Sequence, residues 1–152
     1  MMAENMNIEN VLNVITQEII IVKDYAGNAY LPEYQFNGIG DVQVGQGFQI
    51  KTTESVTLEV CGDYTSPENH PIDLIGGWNL IGYLRMEPAN ISAVLSSINE
   101  SGNLIIAKDY AGNAYLPMFN FNGIGDMGAG QAYQIKTTNP DILEYLSNLE
   151  SY

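Results

Sequence analysis

Residues 23–53 and 108–138 carry one sequence twice. The first reads KDYAGNAYLPEYQFNGIGDVQVGQGFQIKTT and the second KDYAGNAYLPMFNFNGIGDMGAGQAYQIKTT. The offset is 85 without a gap, and 23 of the 31 positions are identical. A tandem duplication of this quality binds the fold: any backbone the first copy adopts must also suit the second. It also limits the chemistry, because a duplicated catalytic set would appear at matched positions in both copies.

The match continues upstream with a two-residue slip, Asn7 to Leu12 aligning with Asn90 to Leu95. Ile8, Val11, Leu12 and Ile15, and Ile91, Val94, Leu95 and Ile98, are spaced as one stripe of an amphipathic helix. Asn7 and Asn90 stand where an Asx side chain caps it. The spacing predicts a helix of roughly three turns in each copy. Next come Ile19 to Val22 and Leu104 to Ala107, β-branched runs expected as strands buried on both faces. Gly27-Asn28 and Gly112-Asn113 suit a hairpin needing positive φ, and Pro32 and Pro117 end the returning strand. A glycine-rich loop leads to half-exposed strands at Phe48–Lys51 and Tyr133–Lys136. Beyond Thr53 and Thr138 the copies diverge. Val56–Val60 reads as a strand, whereas Asn139–Leu146 has an N-cap, Pro and acids in its first turn and reads as a helix.

Between the copies, Gly62–Pro71 is turn-rich and expected to be a surface linker. Ile72–Ile75 and Trp78–Tyr83 are apolar strands leading into copy two; copy one has no equivalent. The division expected is 1–61 for copy one without its tryptophan strand, 62–76 for linker and strand, and 77–152 for copy two, or one intertwined domain. The class is α+β, two tandem pseudo-symmetric copies, each a short helix on a small mainly antiparallel sheet with a β-hairpin.

The ordered string Gly77-Trp78-Asn79-Leu80-Ile81-Gly82-Tyr83, short helix, Lys-Asp-x-x-Gly-Asn hairpin, Phe-Asn-Gly-Ile-Gly, and Gly-Gln-x-(Phe/Tyr)-Gln-Ile-Lys resembles a repeat module. That module occurs in large secreted or surface proteins of marine Bacteroidetes-type bacteria. The resemblance covers both copies. It implies a secreted or cell-surface, non-enzymatic structural or adhesive module; the alternative is a carbohydrate-binding accessory module of a secreted enzyme. It carries over no functional residue.

Charge narrows the partners. Five Lys+Arg against 18 Asp+Glu leave a net charge of −13 on 152 residues, a field that repels phosphate backbones and anionic lipid. No apolar run approaches the ~18 residues of a spanning helix, so neither nucleic acid nor membrane insertion is expected. No basic and apolar leader opens the chain, so any export signal lies outside these residues. A polysaccharide, another surface protein or a second copy of the chain remain as partners.

No catalytic, cofactor-binding or metal-ligating residue is assigned. Gly123-Ile124-Gly125-Asp126-Met127-Gly128 spells a dinucleotide motif, but its duplicate at Gly38–Gln43 breaks it and no helix is expected to follow. Asp24 and Asp109 are equivalent carboxylates, yet the Asp-Thr/Ser-Gly turn of an aspartyl dyad is absent, which favours Asx turns. Asp24, Asn28, Asn37 and Asp41, with Asp109, Asn113, Asn122 and Asp126, are candidate oxygen ligands for Ca²⁺. Their competing role is to stabilise turns. Cys61 reads as a small buried apolar residue and His70 as a solvated one. Ten aromatics occupy repeated positions: Tyr25, Tyr30, Tyr34, Phe36 and Phe48, with Tyr110, Tyr115, Phe119, Phe121 and Tyr133. They are expected mainly in the core, and an exposed row beside a groove would instead favour sugar stacking. Trp78 is expected buried between the copies, and the repeated lysines (23, 51, 108, 136) against an edge or an acid.

Overall fold

The computed structural model describes residues 2–3, 6–63 and 65–152. The chain is α+β, with short helices beside antiparallel sheets. In chain order the elements are β1 (Met2–Ala3), α1 (Ile8–Val11), β2 (Ile19–Lys23), β3 (Ala29–Leu31), β4 (Phe36–Asn37), β5 (Gln49–Thr52) and β6 (Gly62–Asp63). There follow β7 (Ile72–Leu74), β8 (Gly77–Gly82), β9 (Ala89–Asn90), α2 (Ile91–Val94), α3 (Ser96–Glu100) and β10 (Leu104–Lys108). The chain continues with β11 (Ala114–Leu116), β12 (Phe121–Asn122), β13 (Asp126–Met127), β14 (Ala132–Thr137) and β15 (Asp141–Leu143).

Copy one forms the sheet β4-β3-β2-β5 and copy two the sheet β12-β11-β10-β14-β8; β1-β6, β9-β13 and β7-β15 are short ribbons. Each hairpin is built by one aspartate. Asp24 Oδ1 accepts from the Ala26 and Asn28 amides at 2.9 and 2.8 Å, and Oδ2 accepts from Asn28 Nδ2 at 2.7 Å. Asp109 makes the same three bonds at 2.9, 2.8 and 2.7 Å with Ala111 and Asn113. Gly27 and Gly112 supply the positive φ, 87° and 88°.

The helix stripe is buried as expected at Ile8, Leu12 and Ile15, and at Ile91, Val94, Leu95 and Ile98. Asn7 and Asn90 cap it, each accepting from the amide two residues on. The three-turn helix is not formed. The ladder breaks at Leu12 (φ −103°, ψ 11°) and Leu95 (φ −96°, ψ 13°), and a 3-10 turn Asn13–Ile15 or the separate α3 carries the stripe onward. Asn13, Val14 and Thr16 are poor helix formers, so burial of Ile15 sets the path there.

Other expectations are corrected by pairing. The runs Ile19–Val22 and Leu104–Ala107 are strands but not buried on both faces. A register shift between Ile19 and Ile21, and between Leu104 and Ile106, turns Ile20 and Ile105 to solvent. Asn139–Leu146 is no helix: β15 pairs with β7, burying Leu143 opposite Ile72. Asn103 holds that path from a distance, its Nδ2 donating to the Asn139 carbonyl and Asp141 Oδ2, its Oδ1 accepting from the Asn139 amide. Val56–Val60 forms no strand, for among the described residues it has no partner equivalent to β7. Within the expected linker, Thr65 and Pro67 are buried and Pro67–Asn69 is a 3-10 turn, so the segment is partly packed rather than wholly superficial.

Two apolar clusters result. Ile8, Leu12, Ile15, Ile19, Val22 and Tyr30 form the smaller; the larger gathers copy two with Leu74, Ile81, Tyr83, Leu143 and Tyr145. Between them, β8 pairs with β14 on one side, and on the other the Gly47 amide donates to the Leu80 carbonyl at 3.1 Å and the Gly82 amide to Gly45 at 2.9 Å.

Candidate functional site

The alternation of β8 sends Asn79 and Ile81 into the core and Trp78 and Leu80 to the opposite face. Trp78 is 43% exposed, so it is not buried between the copies. Lys136 faces it in the β8–β14 register, and Lys108 stands one strand further, on β10. Their ammonium groups lie 5.5 and 5.4 Å from the indole centroid. At an exposed site each such contact contributes about 0.5–1 kcal/mol. Neither lysine has a carboxylate partner among the described residues. Two of the five basic side chains of a chain with net charge −13 are thus gathered on one ring.

Lys108 also lines a cleft of about 500 Å³, open on the same face. Leu80 and Ala132 lie in its lining, with Ile50, Tyr110, Gln131 and Gln134 around them. Tyr110 is 84% exposed. The combination is apolar surface, one projecting ring and several amide and ammonium donors, which suits a ligand with hydroxyls and a flat apolar face.

The repeated aromatics therefore divide, against the expectation of a mainly internal role. Tyr30, Tyr115 and Tyr133 are buried and Phe48 is half-buried, but Tyr25, Tyr34, Phe36, Tyr110, Phe119 and Phe121 are exposed. Tyr34 and Phe36, and Phe119 and Phe121, stand beside the edge strands β4 and β12, where the sheet offers nothing to cover them. Phe36 and Phe121 instead lie over Gly38 and Gly123, where an added Cβ would meet the ring at 3.1 Å.

The candidate oxygen ligands fall into knots of their own. Asp24 is spent on its hairpin with Asn28, whereas Asn37 and Asp41 both bond Asn7, at 3.1 and 3.4 Å. Asn122 and Asp126 do the same with Asn90, at 3.1 and 3.5 Å. Among the described residues no three His, Cys, Asp or Glu side chains group as a metal site. Gly123–Gly125 is a turn held by Asn122 Oδ1, which accepts from the Ile124 and Gly125 amides, and the rest of the motif is strand β13 (Asp126–Met127) instead of a helix start. Cys61 is exposed, not buried. His70 is half-buried at the end of the Pro67–Asn69 turn.

Sequence reading missed Arg85, which is buried and donates from Nη2 to the Ser147 and Glu150 carbonyls while stacking 4.9 Å from the Tyr152 ring centroid. It also missed Tyr145, whose hydroxyl donates to the Gly82 carbonyl and whose ring meets Tyr83 edge-on at 5.5 Å. A single arginine in an acidic chain was the available signal for the first.

No protein-family model, no curated protein and no solved structure matches the chain. No helix among the described residues is long and apolar enough to cross a membrane.

Proposed function

We propose that the protein is a non-enzymatic, extracellular recognition module that binds carbohydrate against Trp78, its two copies forming a pseudo-symmetric scaffold. The observation that carries this reading is the indole itself, 43% exposed and flanked by Lys108 and Lys136 beside an open cleft. A sugar ring stacks its C–H face on such a surface, and Gln131, Gln134 and the lysines are placed to serve its hydroxyls. The non-catalytic part of the reading is supported by the aspartates: both oxygens of Asp24 and of Asp109 are committed to turns. The secreted setting rests on the resemblance of the repeat string.

Electrophoresis through gels containing neutral or anionic polysaccharides tests it. Wild-type protein is expected to be retarded in at least one gel and Trp78→Ala to run freely, with an unchanged circular dichroism spectrum. Equal mobility of both proteins in every gel would overturn the reading. The adhesive alternative is favoured by a different feature, the uncovered strand edge of copy one.

A further inference from the structure

The duplicated strand is enclosed in copy two and open in copy one. In copy two, β14 pairs with β10 on one edge and with β8 on the other, from Ala132↔Gly82 to Thr137↔Gly77. In copy one, β5 pairs with β2, and among the described residues no strand lies on its other edge. The inward positions register the difference. Ile135 is 0% exposed and its duplicate Ile50 is 40% exposed. Phe48 and Thr52 are likewise only half-buried, where Tyr133 and Thr137 are buried.

The same holds one segment later. Leu143, five residues beyond Thr138, is fully buried because β15 pairs with β7; Leu58, five residues beyond Thr53, is 38% exposed in a segment that forms no strand pairing among the described residues. Both gaps in copy one thus correspond to a single piece of copy two, the stretch from Ile72 to Tyr83 that contains β7 and β8. Leu74, Ile81 and Tyr83 fill the core from that piece.

We infer that copy one carries a docking site for an extended segment of a partner polypeptide with the pattern of Ile72–Tyr83, which adds as a strand to β5 and covers Ile50 and Leu58. Main-chain hydrogen bonds to the open edge supply affinity, and apolar side chains at alternate positions set the register. Copy two specifies the occupant: Asn79 stands opposite Ile135, the duplicate of Ile50, and Ile81 opposite Tyr133, the duplicate of Phe48, so the docked segment sets an aliphatic residue against Phe48 just before β5. The β8 of the same chain, paired with β14 on one side, meets this edge only at its start, through Gln46 and Gly47, and leaves Gln49–Thr52 without a strand beside them.

The test is amide hydrogen exchange of the full chain, with and without an excess of a synthetic peptide of residues 72–84. Slowing by about tenfold is expected at Gln49–Thr52 and Val56–Val60, with β14 unchanged. The peptide carrying Ile81→Asp, or the protein carrying Ile50→Asp, is expected to lose the effect. Ile50 is already exposed, so the protein variant keeps its fold. Unchanged exchange at β5 under saturating peptide would overturn the inference, as would equal protection by the Ile81→Asp peptide. Protection of the same amides that rises with protein concentration alone would replace the partner segment by a second copy of the chain.

Discussion

Gly47 lies so close to Ile81 that a β-carbon on it would stand 2.9 Å from the Ile81 carbonyl carbon and oxygen, and 2.8 Å from the Ala132 Cβ. The duplicated position in copy two is Ala132, so the repeat itself tolerates a side chain there. Glycine is required in copy one because its backbone meets β8. Gly47→Ala is therefore expected to push the halves apart at a cost of about 1–3 kcal/mol, the usual range for overpacking. Urea unfolding should show a lowered midpoint; an unchanged midpoint would mean that the approach to β8 is not tight.

Ile50 and Ile135 offer a matched pair. Truncating Ile135 to alanine removes a fully buried side chain and is expected to cost about 2–5 kcal/mol. Ile50→Ala, at an exposed site, should stay within about 0.5 kcal/mol. Equal losses in chemical unfolding would show that the two strands are enclosed alike.

Acid should act through Asp141. The Asn103 side chain donates to its carboxylate and, with the Ile142 amide, holds its pKa below the ordinary aspartate value. A carboxylate lowered on folding adds stability that is present above the unfolded pKa and is lost as pH falls through the lower folded one. Asn103→Ala is expected to weaken the acid dependence below the ordinary aspartate pKa, besides costing about 1–3 kcal/mol for the Asn139 groups it leaves unpaired. Thermal unfolding of both proteins across that acid range reads the difference; identical slopes would contradict it.

Arg85 ties the chain end to β8's exit. Removing it as Arg85→Ala frees the Ser147 and Glu150 carbonyls and the face of Tyr152. Limited proteolysis is expected to cut within residues 147–152 faster in the variant, while sites in the hairpins keep their rate. Equal cutting would mean the clasp contributes nothing to order at that end.

What was legible in the sequence was local. Asp24 and Asp109 act within four residues, so their hairpins could be read from Lys-Asp-x-x-Gly-Asn, and the Asn7 and Asn90 caps likewise. What was not legible depends on distant partners. Asn139–Leu146 has sound helix-start chemistry, but Asn103, 36 residues away, and the open edge of β7 draw it into a strand. Val56–Val60 has strand propensity and no strand partner among the described residues, so it stays irregular. The exposure of Trp78 follows from the alternation of β8, whose phase is set by Ile81 facing the core rather than by the tryptophan. At the site, the residue types were visible in the sequence, but the gathering of Lys108 and Lys136 on one indole required the β10-β14-β8 order.

Trp78 is the chain's single tryptophan, so its fluorescence reports on the proposed site alone. The deciding measurement is a fluorescence titration with soluble oligosaccharides, neutral and anionic, followed by acrylamide quenching. A saturable change in emission, with the bound indole shielded from acrylamide and the change diminished by Lys108→Gln with Lys136→Gln, is the expected result. An indole that stays equally quenchable at the highest concentration of every sugar would contradict a carbohydrate site at Trp78.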